Sequence, residues 1–177
     1  LHVPVAHVEA GLRSFNKAMP EEINRILTDH TSTCLFCPTA TAVRNLANEG
    51  ISKGVHHVGD VMYDAALQFG AVAEKTSTIL EELKLTPKSY LLATVHRQEN
   101  TDDRERLESI LGAFIDIATE ARPLIIPLHP RTRSFVKQFG MEPMLLRNPN
   151  LIIINPVGFL DMVFLEKYAS VILTDSG

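Results

Sequence analysis

The sequence lacks the features that would commit it to a membrane, to nucleic acid or to a disulfide scaffold. Its longest apolar stretches, such as Leu151 to Ile154 and Val171 to Leu173, stop far short of the roughly 20 residues needed to cross a bilayer, so no membrane association is expected. Basic charge is not in excess: 17 Lys and Arg stand against 21 Asp and Glu, for a formal net charge of -4, and the basic residues are scattered. That leaves no electrostatic footprint for a nucleic-acid backbone, and nucleic acid is not an expected partner. Low-complexity stretches are missing as well. With 45% hydrophobic and 21% charged residues among 177, the composition is that of a globular protein able to bury a sizeable core.

Cysteine is scarce. Cys34 and Cys37 form one C-x-x-C spacing with no second pair, inside the apolar β-type run from Thr33 to Cys37, where they point to opposite faces of a strand. They are expected to be buried structural thiols, with no metal. Two cysteines without a disulfide framework favour a reducing compartment, the cytoplasm. The chain begins at Leu1 inside what reads as a strand and stops at Gly177 as another ends, so it is expected to be truncated at both ends.

What is present is an alternation of short Val, Ile and Leu runs with longer segments of helical period, the pattern of βαβ units and a parallel sheet. Strands are expected at Val3 to Val8, Thr33 to Cys37, His56 to Val58, Tyr90 to Val95, Leu124 to Leu128, Leu151 to Ile154 and Val171 to Thr174. Pro20 fits the first position of a helix with Glu21 and Glu22 in its positive first turn and Ile23, Ile26, Leu27 and His30 along one face. A second helix is expected over Thr39 to Glu49, capped by Thr39, with Ala42, Leu46 and Ala47 inward and Gly50 as its stop. Tyr63 to Leu85 reads as one long helical stretch before a turn at Thr86, Pro87 and Lys88. The break in rhythm near Gly59 predicts two α/β domains, 1–58 and 59–177.

Ligands of open parallel sheets bind beyond the carboxyl ends of the strands, where loops and helix N-termini present free donors. Polar groups recur at those ends: Glu9 after the first strand, His96 after the fourth, His129 after the fifth, and Asp175 with Ser176 after the last. Glu9 and Glu21 flank a loop containing Gly11, and paired carboxylates with an imidazole opposite them suit proton transfer at carbon and stabilisation of an anionic leaving group. Arg97, Arg131 and Arg133 are candidate forks for phosphate oxygens, with Arg97 favoured by its place beside His96. An acid in a first helical turn, as at Glu21 with Arg25 four residues on, is equally at home as a purely structural feature.

The runs His7-Val8-Glu9-Ala10-Gly11-Leu12-Arg13-Ser14, Met19-Pro20-Glu21-Glu22-Ile23-Asn24-Arg25 and Leu27-Thr28-Asp29-His30 closely resemble the signature of non-hydrolysing UDP-N-acetylglucosamine 2-epimerases. Cys37-Pro38-Thr39, Val58-Gly59-Asp60-Val61, Thr94-Val95-His96-Arg97-Gln98-Glu99-Asn100, Leu128-His129-Pro130-Arg131-Thr132 and Leu173-Thr174-Asp175-Ser176-Gly177 follow in the family's order, so the resemblance covers essentially the whole chain. It implies a glycosyltransferase-B-like architecture, of the UDP-glycosyltransferase and glycogen phosphorylase type, in which two Rossmann-like domains face one another across a cleft. The implied reaction is inversion of one carbon of a UDP-amino sugar by elimination of UDP to a 2-acetamidoglucal and its re-addition, with no metal or nicotinamide cofactor.

By the same resemblance Glu9 and Glu21 match the family's two active-site glutamates and His96 the histidine near the departing phosphate. Ser176 and Gly177 resemble the start of the loop that cradles the UDP phosphates, Arg97 and His129 resemble residues linked to a second, regulatory site, and Phe159 lies in a stretch associated with substrate. The Phe15-Asn16 and Pro156-Val157-Gly158-Phe159 stretches also resemble the UDP-2,3-diacetamido-glucuronate 2-epimerases, and a glycosyltransferase of the same architecture is the alternative from another class. Family habit implies a homodimer acting in surface polysaccharide synthesis. The family's first strand with its arginine, an upstream aspartate and the glutamates after the Ser-Gly-Gly loop are absent, so this polypeptide alone is expected to be inactive, and Gln98 stands where some members carry arginine.

Overall fold

In the computed structural model, which describes residues 3–175, short apolar runs become parallel strands and the segments between them helices. The order is β1 (Ala6–Val8), α1 (Pro20–Thr31), β2 (Cys34–Cys37), α2 (Ala40–Asn48), β3 (Val55–His57), α3 (Val61–Thr76), α4 (Ile79–Glu82), β4 (Leu91–Thr94), α5 (Gln98–Thr101), α6 (Arg104–Ile117), β5 (Leu124–Pro127), α7 (Pro130–Gln138), α8 (Glu142–Leu145), β6 (Leu151–Ile154), α9 (Phe159–Tyr168) and β7 (Val171–Thr174). Each strand lies within a residue of its expected bounds except β1, which begins at Ala6 rather than Val3. The chain forms two compact units, Leu1–Leu67 and Gln68–Gly177, with the division inside α3.

The first unit carries a parallel sheet in the order β1-β2-β3, registered Ala6 to Cys34 and Leu35 to Val55. Its core is one-sided: Leu35 and Cys37 on β2 meet Ala42 and Leu46 of α2, with Ala10 from the loop after β1. Thr39 caps α2 as expected, its hydroxyl accepting from the Ala42 amide at 3.1 Å. Ala47, expected inward, is exposed. Cys34 and Cys37 are free thiols; burial, reinforced by the Asp29 carboxylate, pushes the Cys37 thiol up and keeps it unreactive.

Helix α1 departs from its expected orientation. The apolar residues Ile23 and Leu27 are exposed, and the residues turned inward are Glu22 and Asp29, each 1% exposed, with Ile26 half-buried between them. Glu22, Ile26 and Asp29 are spaced i, i+4, i+7 and so share one face. An inward polar face holds only if other groups neutralise it, and the loop from Glu9 to Phe15 does so.

The second unit is a four-stranded parallel sheet, β6-β5-β4-β7, with helices on both faces. Strand alternation divides its core. Leu91, Ala93, Leu124, Ile126 and Leu151 face α6, α7 and α8, while Tyr90, Leu92 and Ile125 face α4 and α9. Burial on both faces explains why β4 and β5 read as continuous apolar runs rather than alternating ones. The buried Tyr90 hydroxyl donates to the Leu165 carbonyl at 2.6 Å, fixing α9 to the sheet. The stretch from Tyr63 to Leu85, expected as one helix, is two, broken at Ser77, whose hydroxyl donates to Asp161 on α9 at 2.6 Å.

Strands β4, β5 and β6 step outward in one direction and β7 returns to the other side of β4. The strand order therefore reverses at β4, and the loops leaving β4 and β7 are joined there by Asp175, which accepts from the His96 amide.

Two glycines with similar backbone angles test the packing of the first unit. At Gly11 (φ +78°) an added Cβ would lie 2.4 Å from the Ala42 carbonyl oxygen, whereas at Gly50 (φ +81°) it would meet nothing within 4 Å. Gly50→Ala should cost only the left-handed backbone penalty, about 1 kcal/mol, and Gly11→Ala at least ~2 kcal/mol more. Chemical denaturation of both variants reads the difference.

Candidate active site

The loop between β1 and α1 is held from beneath by two buried carboxylates. Asp29 accepts from the Gly11 amide at 3.1 Å and from Arg13 Nη1 at 2.7 Å, and its other oxygen lies 2.6 Å from His7 Nδ1. Because an ionised carboxylate only accepts, His7 carries its proton on Nδ1 in this pair. Glu22 accepts from the Ser14 amide at 2.8 Å, the Ser14 hydroxyl at 2.9 Å and the Phe15 amide at 3.0 Å. Arg13, its side chain 1% exposed, closes the network as a fork on Glu49, with Nε to Oε1 at 2.7 Å and Nη2 to Oε2 at 2.8 Å. His30 Nε2 reaches Glu49 at 3.2 Å.

Electrostatics follow from these partners. Burial opposes ionisation of Glu22, but the Ser14 and Phe15 donors and the Arg13 charge outweigh it and hold the carboxyl below its ordinary value. The hydrogen-bonded fork with Glu49 outweighs burial at Arg13, with Asp29 adding to it, and the same fork holds Glu49 below the usual carboxylate range.

Above this scaffold stands Glu9. It is half-buried, its φ is +68°, and its carboxylate has no hydrogen-bond partner among the described residues. A non-glycine residue in the left-handed region costs about 1–2 kcal/mol and persists only where its surroundings fix it. Glu21, at the start of α1, is exposed and also without a partner among the described residues. The neighbouring acid, Glu22, takes the structural role.

In the second unit a cleft of about 190 Å³ opens at the carboxyl ends of β4, β5 and β6. Thr94, His96, Pro127, His129, Pro156, Val157 and Met162 line it. The His96 and His129 rings stand edge to face with centroids 6.4 Å apart. His129 caps α7: its Nδ1 accepts from the Arg131 amide at 3.2 Å, which places the ring proton on Nε2 and leaves that atom as a donor.

The loop carrying His96 is also fastened by a carboxylate, here a single one. Asp175, following β7, accepts from the His96 amide at 3.0 Å, the Arg97 amide at 3.0 Å and Asn100 Nδ2 at 2.9 Å. Burial works against its charge, and these donors win, holding Asp175 below the ordinary carboxylate value. Thr132 Oγ1 ties α7 to the Val95 carbonyl at 3.2 Å.

The remaining candidates sort themselves by partner. Arg97 sits beside the cleft, its guanidinium 3.7 Å from Glu99. Arg131 is engaged by both Asp102 oxygens at 2.7 and 2.8 Å, and the exposed Arg133 spends its Nη2 on Asn155 at 3.2 Å. Phe159 lies on the first turn of α9, 57% exposed, edge to face with Phe69 at 5.2 Å. Ser176 and Gly177 lie outside the described residues. Among the described residues no group of three or more His, Cys, Asp and Glu is placed to hold a metal ion, and no helix is long and apolar enough to cross a membrane.

Sequence reasoning placed Asp175 at a strand end and Glu22 in a first helical turn but missed that these two and Asp29 are the carboxylates that hold the loops. The seven-residue spacing of Glu22 and Asp29 was the available signal, since it puts two acids on one helical face.

Two α/β units, each with a parallel sheet, are Rossmann-like, and their likeness to solved UDP-GlcNAc 2-epimerases makes the fold glycosyltransferase-B-like. The family model described as UDP-N-acetylglucosamine 2-epimerase matches residues 1–177, and the chain belongs to that family. It is 52% identical over its full length to a UDP-N-acetylglucosamine 2-epimerase homolog of Methanococcus maripaludis, covering 49% of that protein. It is 47% identical to the UDP-2,3-diacetamido-2,3-dideoxy-D-glucuronate 2-epimerase of Pseudomonas aeruginosa, again over 100% of this chain and 48% of the relative. Among solved structures, the Methanocaldococcus jannaschii UDP-GlcNAc 2-epimerase in complex with UDP-GlcNAc and UDP is similar at a TM-score of 0.86 and 46% identity, over 98% of this chain and 49% of that one. The chain thus spans about half the length of the curated relatives it matches.

Two measurements check this account. Ionised Glu22 stabilises the fold above its ordinary value of 4.5, and that contribution is lost as pH falls through its lowered folded value. Glu22→Gln should therefore cost about 1–3 kcal/mol at neutral pH, with the gap to the unaltered protein narrowing below that value in urea titrations at each pH. For the second unit, Asp175→Ala should lower hydrogen-exchange protection of the His96 and Arg97 amides by roughly 10- to 100-fold, while amides of β5 keep theirs.

Proposed function

We propose that this chain is part of a non-hydrolysing 2-epimerase that interconverts UDP-N-acetylglucosamine and UDP-N-acetylmannosamine. The observation that carries the reading is a pair of imidazoles, His96 and His129, at the mouth of a parallel sheet in a chain that matches the epimerase family from end to end. In this reading the domains are 1–58 and 59–177, meeting at Gly59, where φ is +89° and Asp60 follows to cap α3 through the Met62 amide at 2.8 Å.

The chemistry assigns one task to each group. A carboxylate of the Glu9 and Glu21 pair removes the proton from the second ring carbon as the bond from the first carbon to the UDP oxygen breaks, giving 2-acetamidoglucal and UDP. Re-addition of the UDP oxygen to the first carbon, with a proton delivered to the opposite face of the second, completes the inversion. Two acids are needed because the two faces are separate. His96 stabilises the departing diphosphate as a donor, and Arg97, His129, Phe159, Ser176 and Gly177 bind substrate. The free state of the Glu9 and Glu21 carboxylates supports this, since a carboxylate already saturated by donors is a poor base.

The whole protein in this reading needs no cofactor, works in the cytoplasm as a homodimer and feeds polysaccharide synthesis; the free cysteines Cys34 and Cys37 fit a reducing compartment. A second substrate, UDP-2,3-diacetamido-glucuronate, is supported by the 47% identity to the Pseudomonas enzyme.

The full-length protein, incubated in D₂O with each UDP-sugar in turn, should place one deuteron on the second ring carbon of the preferred one. Glu9→Gln and His96→Asn should each lower turnover by about 10²- to 10⁴-fold. Transfer of the sugar to an acceptor without solvent exchange at that carbon would instead identify a glycosyltransferase.

A further inference from the structure

We propose that the buried pair of Asp29 and His7 is a positioning device that sets the direction of the Glu9 carboxylate. The inference rests on Glu9 acting at the sugar carbon. Glu9 is the point where β1 ends and the chain turns through a left-handed conformation, φ +68°. Its own carboxylate makes no hydrogen bond among the described residues, so its direction is decided by the backbone on either side.

Besides the pairing of β1 with β2, one carboxylate ties this segment together. Asp29, with no exposed side-chain surface, holds the residue two before Glu9 through His7 Nδ1 at 2.6 Å, the residue two after it through the Gly11 amide at 3.1 Å, and the residue four after it through Arg13 Nη1 at 2.7 Å. Asn45 adds a restraint from α2, its Nδ2 donating to the Gly11 carbonyl at 2.9 Å. Gly11 is also pressed against Ala42, as the 2.4 Å approach of a hypothetical Cβ shows. The pairing of β1 with β2 and the Ala10 amide on the Phe36 carbonyl at 3.0 Å hold the main chain on either side of Glu9, and of the restraints made by Asp29 only the His7 contact acts on the strand side. With it removed, the main chain stays paired but the end of β1 loses its tie to Asp29, and the Glu9 carboxylate shifts relative to the loop anchored at Gly11 and Arg13.

A residue that only stabilised the fold would change the amount of folded protein. A positioning residue changes turnover per folded molecule while leaving substrate affinity nearly intact, because misplacing a base by about 1 Å costs up to ~10²-fold in rate. In the full-length protein, His7→Ala should lower kcat for the UDP-sugar by about 10- to 100-fold, with KM within about threefold. His7→Asn, whose side-chain amide places a donor near the position of the ring Nδ1, should restore most of it. Asp29→Asn should show at least the loss of His7→Ala; if that variant does not fold, the two His7 variants decide the matter alone. Unchanged kcat per folded molecule in His7→Ala, or equal kcat in His7→Ala and His7→Asn, overturns the proposal. Glu9→Gln, measured alongside, separates the two levels: full activity there removes the catalytic reading of Glu9 and this inference with it, whereas an inactive Glu9→Gln beside a fully active His7→Ala removes the inference alone.

Discussion

The Asp29 carboxylate, closed off from water inside the first unit, is the constraint on which the arrangement around Glu9 depends. An ionised carboxylate in such a place is tolerable only when its oxygens are met by donors, and removing one partner of a buried pair costs about 3–5 kcal/mol. The chain meets that demand by bending the loop after β1 over α1 so that His7, Gly11 and Arg13 converge on it, while Glu22 gathers Ser14 and Phe15 in the same way. Folding the helix and shaping the loop are thus one event. The left-handed Glu9 at the crest is the product of that packing rather than of its own preference.

The second unit uses the same principle with different parts. A rigid four-stranded sheet, buried on both faces, fixes where β4 and β7 end, and Asp175 then draws the His96 and Arg97 amides toward itself. Loops placed by carboxylate-to-amide hydrogen bonds keep their side chains free for other work. The His96 ring faces the cleft with its backbone held, and His129 spends only one ring nitrogen on capping α7. The neighbouring arginines divide accordingly: Arg131 is taken up by Asp102, Arg133 spends its Nη2 on Asn155, and Arg97 remains beside the cleft.

Membership of the epimerase family and a span of about half the length of its curated relatives together frame these sites. The first unit carries the carboxylates of Glu9 and Glu21 and the second the imidazoles of His96 and His129, and each unit is internally braced. The exposed Ile23 and Leu27 on α1 follow from the same bracing, because a helix that turns its acids inward must turn its apolar side chains out.

Amino-acid order alone determined the strands, the parallel character of the sheets and the motifs that place the chain in its family. Those depend on local periodicity, on runs such as Leu91 to Thr94, and on residues close in sequence like Thr39 and Ala42. It also placed Glu9, His96 and His129 at strand ends, since a polar residue after an apolar run is visible in one dimension. Only the tertiary structure decided that Glu22 rather than Glu21 is buried, that Ile23 and Leu27 face outward, that the helix after Tyr63 breaks at Ser77, and that Asp29 and Asp175 hold the two site loops. The reason is physical: whether a carboxylate turns inward depends on donors 7 to 79 residues away in the chain, and a hydrophobic pattern carries no record of them.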